Sequence, residues 1–269
     1  MKKVITLLFL IIISACSQKS NPVILGKSAN DTIRIMTYNV HHCNPSAEQG
    51  IINIDAIADV INQQNPDLVA LQEIDVNTLR SGKHNQAEEL AKKTGMKYFF
   101  GKAIDYEGGE YGVAILSKYE ISGMMVYKLP TQAGSNGEPR VLTTAKINLP
   151  GAVIRFGSTH LDAQKADTNR QLQIQEINRI ASEENLPFII AGDFNAIPSS
   201  GIINELDKQF TRTCHQCDPT IPIGNPNKAI DFIGFTPSTK FAVIQTKVIN
   251  GIKASDHLPV IADIRLVPQ

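Results

Sequence analysis

The chain repeats one three-part run, and that repeat limits the folds open to it more than any other feature. "IRIMTYN" (33–39) leads to the helical pattern "NIDAIADVINQQ" (53–64) and then to the apolar segment "PDLVALQEI" (66–74). "IRFGSTH" (154–160) leads to "TNRQLQIQEINRIAS" (168–182) and then to "NLPFIIAGD" (185–193). Ile54, Ala56, Ile57, Val60 and Ile61 fall at helix spacing, with Asn53 or Asp55 near the start; Leu172, Ile174, Ile177 and Ile180 do the same in the second run. The two apolar segments do not alternate, which fits strands covered on both faces. Each run also delivers polar groups at matching offsets. Asn39 and His160 close the first segments, and an acid follows eight residues after an Asn in the last, Asn65 to Glu73 and Asn185 to Asp193. Identities are few, so the pattern suggests an internal duplication without establishing one. In layered α/β architectures such strand ends are where ligand and catalytic groups gather.

Between the runs lie a short helix, "QAEELAKKTG", closed by Gly95, and the strands "KYFFGKA", "YGVAILSK", "ISGMMVYKL" and "RVLTTAKINL". The 269 residues are 42% hydrophobic, enough for a sizeable core. The amino terminus reads differently. Lys2 and Lys3 precede "VITLLFLIII", an apolar run too short to span a bilayer but suited to a secretory signal, and "ISAC" follows. That order resembles the lipobox of bacterial lipoproteins, with Cys16 lipidated. The expected organisation is a signal peptide over 1–15, a polar tether over 16–30 and one domain over 31–269. The protein is then exported and anchored in a membrane through Cys16, on the periplasmic or cell-surface side.

Loss of Lys2 and Lys3 leaves 24 basic and 26 acidic side chains. A near-neutral chain without a Lys/Arg run lacks the usual footprint of phosphate-backbone binding. Outside the cytoplasm, "CHQC" (214–217) favours a small loop disulfide over a redox pair or half a zinc site, leaving Cys43 as a buried thiol.

Several polar groups sit where strands end or where acids are costly. Glu73 and Asp193 terminate buried strands, with Asn195 two residues beyond Asp193. His160 ends another strand. Asp231 lies in the apolar "AIDFIGF", where an acid needs a partner. His257, in "SDHLPV", supplies one. A carboxylate on one imidazole nitrogen fixes the tautomer and raises the basicity of the other, which prepares a base for water. Singly, Glu73, His160 or the Gly-Asp-x-Asn turn could be structural. Arg80 ("VNTLRSG") and Arg140 ("GEPRVL") are secondary candidates for phosphate contacts. Tyr111 and Arg170 are weaker ones. His41 and His42, adjacent side chains on a strand, cannot both face the same side and are read as flanking or substrate-side groups.

In order, "TYN", "LQE", "YGVAILS", "STHLD", "GDFNA", "IDFI" and "SDHLPV" resemble the motif series of the endonuclease/exonuclease/phosphatase superfamily, from about Ile33 to Ile264. The resemblance implies an α/β fold: a four-layer sandwich of two packed mixed β-sheets flanked by helices. It implies Mg²⁺, with Mn²⁺ as a substitute, on Glu73 with Asn39 in or beside the shell and Asp256 in support. It gives His257 and Asp231 the activation of water, Asp193 and Asn195 its positioning, and His160 the stabilisation of the phosphorane or protonation of the leaving oxygen. His160 in "STHLD" and Tyr111-Gly112 before "VAILS" depart from the abasic-site nucleases of that group. The expected protein is a monomeric phosphodiesterase or phosphatase acting on a lipid headgroup, inositol phosphate or other small phosphoester. The competing expectations are a secreted or surface nuclease acting on DNA or RNA, and a non-catalytic binding protein, which should have lost some of these residues.

Overall fold

A computed structural model describes residues 32–48 and 50–267. The signal sequence, Cys16 and the whole of the tether lie outside those residues. In the first half, β1 (Thr32–Asn39) runs through α1 (Ile54–Gln64) into β2 (Leu68–Val76). Then come α2 (Gln86–Thr94), β3 (Lys97–Tyr106), β4 (Gly109–Ser117) and β5 (Ile121–Lys128). In the second, β6 (Val141–Leu149) and β7 (Ala152–His160) run through α3 (Thr168–Glu183) into β8 (Phe188–Asp193). They are followed by α4 (Gly201–Leu206), β9 (Thr211–Arg212), β10 (Asp231–Thr236), β11 (Phe241–Val248) and β12 (Val260–Leu266).

These strands build two six-stranded mixed sheets, ordered β11-β12-β1-β2-β4-β3 and β5-β6-β7-β8-β10-β9. In each, one strand–helix–strand run contributes a parallel pair, β1 with β2 and β7 with β8. The repeat legible in the sequence is therefore repeated in the topology. Odd-numbered residues of β1, such as Ile33 and Ile35, join Phe156, Ile189 and Ile233 in the core between the sheets. Even-numbered Met36 and Tyr38 face Ile57, Ile61 and Leu90 of α1 and α2. On the far side, Phe188, Ile190 and Phe232 meet Ile174, Ile177 and Leu206 of α3 and α4. The result is four layers, helix–sheet–sheet–helix. Both faces of β2 and β8 are covered, which is why their sequences do not alternate. Each fully buried Ile or Leu here contributes about 1.5–3 kcal/mol by leaving water. In α3, Leu172 is only half-buried and Gln173 takes the inward place, its Oε1 accepting from the Asp162 amide at 2.9 Å.

α1 and α2 begin where the sequence provides caps, and α2 also stops at one. The Asn53 side chain accepts from the Ala56 amide, the Asn85 side chain from the Glu88 amide, and Gly95 closes α2 in the left-handed region. Approaching the strand ends, the inter-sheet core turns polar. Thr37 donates to Gln72 Oε1 at 3.3 Å, and Gln72 Nε2 donates to Ser158 Oγ, also at 3.3 Å. Cys214 and Cys217 form a disulfide, and Cys43 is a buried free thiol.

Candidate active site

The two sheets present polar residues to one another where β1, β7 and β8 end and beside Glu73, which lies not at the end of β2, as the sequence suggests, but within it, three residues before Val76. In β7 and β8 the register sets His160 opposite Asp193. In the other sheet Asn39 sits opposite Gln72, one residue short of Glu73, and the β2–β4 pairing slips between Leu71 and Ile74. Glu73 takes up that slip with φ +57°, a left-handed conformation that a non-glycine residue adopts at a cost of roughly 1–2 kcal/mol. Asn195 (φ +48°) turns the same way after β8, its amide bonded to Asp193 Oδ1 at 2.8 Å.

Asp193 is the hub. Its Oδ2 accepts from Asn39 Nδ2 at 3.1 Å and lies 3.5 Å from His160 Nε2 and 3.7 Å from His257 Nε2. Asn39 Nδ2 also reaches Glu73 Oε1, at 3.0 Å, so one amide bridges an acid from each sheet. His257 Nδ1 is 3.0 Å from Asp231 Oδ2, which also accepts from Thr220 Oγ1 at 2.5 Å. Asp231 opens β10 opposite Asp193, not within the strand interior as its apolar surroundings suggest. The Thr220 carbonyl accepts from the Leu258 amide at 2.8 Å, so Thr220 holds Asp231 and the residue after His257 together.

The electrostatics follow from burial and crowding. Burial and the neighbouring Asp231 charge push the Asp193 carboxyl up to about 7. Burial alone would lower His257, but the charge and hydrogen bond of Asp231, with Asp193 nearby, raise it to about 10. Burial and the Arg140 cation hold His160 well below the usual imidazole range, so it is neutral. Burial would raise Glu73, but His42, His160 and the Asn39 amide hold it well below the carboxylate range.

Seven of the anticipated side chains thus meet: Asn39, Glu73, His160, Asp193, Asn195, Asp231 and His257. Arg140 joins them, buried, with Nη1 3.2 Å from His160 Nδ1 and 2.8 Å from Glu138 Oε1. Asn195 Nδ2 lies 3.0 Å from both His160 Nε2 and the Leu161 carbonyl. Asp256 is half-buried beside Ser255 Oγ (3.3 Å), and no hydrogen bond joins it to Glu73 or Asn39 among the described residues. Arg80 presents its bidentate edge to buried Asp75, at 2.7 and 2.9 Å, and its guanidinium packs on the rings of Tyr106 and Tyr111. Arg170 braces the carbonyls of Asp162 and Gln164.

His41 and His42 do not extend β1. They begin a single 3-10 turn, His41–Cys43, whose three residues all have positive φ. Strand alternation therefore does not govern them, and His42 Nδ1 comes within 3.8 Å of Glu73 Oε2. Nothing in "NVHHC" signals that turn except its length against the strand before it. Thr220, in an aperiodic loop, gave no signal either.

A cation fits this cluster. Asp193, bonded to Asn39, offers a carboxylate beside the Asp231–His257 pair; ligand atoms of the three lie within 4.8 Å of one another, and the pair would border the cation on the side where it acts as base. Glu73 adds a carboxylate from the opposite sheet, and the raised Asp193 reports negative charge that a cation would relieve. Oxygen-rich sets of this kind suit hard divalent ions.

Residues 36–257 match the model of the Endonuclease/Exonuclease/phosphatase family. An uncharacterised Escherichia coli K12 protein, YbhP, is 25% identical over 251 residues, covering 87% of this chain and 97% of its own. Among solved structures, an endonuclease/exonuclease/phosphatase from Beutenbergia cavernae superposes with TM-score 0.73 at 22% identity, over 87% of this chain and 72% of that one. A mannosyl-6-phosphatase from Bacteroides thetaiotaomicron superposes with TM-score 0.70 at 18% identity, over 86% and 99%. The family match covers most of the chain and includes every strand end that feeds the cluster: the protein belongs to the endonuclease/exonuclease/phosphatase family.

Proposed function

We propose that the protein is an exported, divalent-cation-dependent hydrolase of small phosphoesters, sugar or inositol phosphates and lipid headgroups among them. The observation that carries this reading is the meeting at Asp193 Oδ2 of groups from both sheets, Asn39 from one and the two imidazoles nearby. Glu73, with Asn39 beside it, would hold Mg²⁺ or Mn²⁺, and Asp193 is within reach. The cation supplies charge neutralisation at the phosphoryl oxygens.

The remaining chemistry belongs to side chains. In its neutral form, which a cation beside Asp193 would favour by opposing the acidic charges that raise it, His257 accepts the proton of the attacking water at Nε2, while Asp231 and Thr220 fix its ring from the Nδ1 side. Asp193 and Asn195 orient that water against phosphorus. Neutral His160 receives the Arg140 N–H at Nδ1, which leaves its own proton on Nε2, with Asp193 Oδ2 at 3.5 Å as the acceptor it faces; turned from that carboxylate to substrate, it would stabilise a phosphorane oxygen or the leaving oxygen. Arg140 places a buried cation behind that imidazole. The near-neutral chain and the sugar-phosphate activity named for the Bacteroides structure favour small substrates over nucleic acid. Export and membrane attachment rest on the lipobox at Cys16.

The test is hydrolysis of mannose 6-phosphate, inositol phosphates, sphingomyelin, bis-p-nitrophenyl phosphate and plasmid DNA, each with Mg²⁺ and with EDTA. Cation-dependent turnover of a small phosphoester is expected. Turnover confined to DNA would make the protein a nuclease, and undiminished turnover in EDTA would remove the cation from the account.

A further inference from the structure

We propose that His42 is a nitrogen ligand of the bound cation and biases this site from Mg²⁺ toward Mn²⁺ and later first-row ions. The inference rests on the cation assigned above and concerns a residue that strand periodicity sets aside.

Three observations carry it. First, the backbone is committed to placing this ring. His41, His42 and Cys43 are left-handed in succession, and the turn is held by Cys43 N to the Val40 carbonyl (2.8 Å), Asn44 N to the His41 carbonyl (2.8 Å) and Gln86 Nε2 to the His42 carbonyl (2.7 Å). Gln86 and Cys43 are both fully buried, so the turn is fixed from below. Strain sustained in this way concentrates at functional sites. Second, His42 Nδ1 is buried and makes no hydrogen bond, although buried polar atoms nearly always have a partner. Third, its nearest acid is Glu73 Oε2 at 3.8 Å, too far for a hydrogen bond, while Glu73 Oε1 is already engaged by Asn39. Two atoms bound to one octahedral ion at about 2.1 Å stand roughly 3 Å apart when adjacent and roughly 4 Å when opposite. The observed 3.8 Å matches neither limit, and the ring and carboxylate would share one ion as neighbours after approaching each other by about 1 Å. His41 completes the support. Its ring lies 4.4 Å from that of His42, and its Nδ1 is 3.0 Å from the Asn44 carbonyl.

Imidazole is a softer donor than carboxylate or water, and it favours transition metals over Mg²⁺. A site of oxygen ligands alone would not make that distinction to the same degree. The competing role for His42 is an imidazolium paired with Glu73, which would stand in for the cation and discriminate between no metals.

Pulsed EPR of the Mn²⁺-loaded full chain separates these roles without measuring activity. With ¹⁴N- and ¹⁵N-histidine-labelled protein, Mn²⁺ should show the coupling of a directly bound imidazole nitrogen, and His42→Asn and His42→Gln should lose it. Calorimetry of the same variants should show Mn²⁺ affinity down about 10- to 100-fold, with Mg²⁺ affinity within about 3-fold of wild type. Nitrogen coupling that is absent in wild type, or that survives in both variants, overturns the proposal; so does an equal loss for both ions. A wild-type spectrum without nitrogen coupling decides against His42 on its own; coupling that survives in His257→Ala but is lost in His42→Gln assigns it to His42, because His257 is the other imidazole beside Asp193. If Mn²⁺ fails to bind wild type at all, the cation reading falls together with His42, whereas binding without nitrogen coupling removes only His42.

Discussion

Asp231 and His257 show how much one contact sets at the scale of a residue. Asp231 Oδ2 takes hydrogen bonds from His257 Nδ1 and Thr220 Oγ1, while its other oxygen has no partner. Replacing Asp231 by Asn should lower kcat by about 10²- to 10⁴-fold. It should also move the rising limb of the pH–rate profile to lower pH, because the carboxylate is what raises His257; an unmoved limb would mean that another group is the base. The same pair affects stability. His257 is raised above its ordinary value of about 6.5, so its contribution is complete below that pH and is lost as pH climbs through about 10. The thermal midpoint of EDTA-treated protein should therefore fall between about pH 7 and 9, and His257→Ala should flatten that slope. Sequence alone paired this His and Asp because an acid in an apolar run demands a counter-group. It could not supply Thr220, which approaches from a loop without periodicity.

At the scale of elements, two close approaches position the site. Gly192 of β8 is opposite Thr159 of β7, and a Cβ there would meet the Thr159 carbonyl oxygen at 2.2 Å. Gly192→Ala must spread the parallel pair one residue before Asp193. Differential scanning calorimetry should show a loss of at least about 2 kcal/mol, or roughly 4–8 °C for a domain of this size; an unchanged midpoint would mean the strands are not in this register. On the other sheet, Arg34 of β1 binds Asp263 of β12 through Nε and Nη2, at 2.7 and 2.8 Å. The Arg34 hydrogen bond holds Asp263 below its ordinary pKa, so its stabilisation is present above about pH 3.9 and is lost as pH falls through the lower folded value. Asp263→Asn should cost about 1–2 kcal/mol in urea denaturation at pH 7, with the difference closing in acid. Elements with strong patterns were legible: the start of α1 at Asn53, the close of α2 at Gly95, and the unbroken β2 and β8. The turn at His41–Cys43 was not, since its left-handed backbone depends on Gln86 and on the burial of Cys43. Nor was the engagement of Arg80 by Asp75, which requires β2 and the following loop to be folded first.

For the molecule as a whole, seven short motifs in order located the cluster because two pseudo-repeated halves place their strand ends face to face. The order of motifs carries that information; the register that sets His160 opposite Asp193, and Glu73 one residue past the Asn39 pairing, comes from backbone geometry. The proposed anchor predicts that Cys16→Ala expressed in bacteria fails to incorporate labelled palmitate and fractionates as soluble protein; labelling that persists would place the lipid elsewhere or remove it. The central claim is that acids from separate sheets act as one catalytic unit, and a double-variant cycle on kcat tests it most directly. Glu73→Gln and Asp193→Asn are each expected to cost about 10³-fold or more, and the combined variant little beyond the slower single one, as residues that act together do. If the two losses instead multiply, or either single variant keeps near wild-type turnover, the sheets do not share one site.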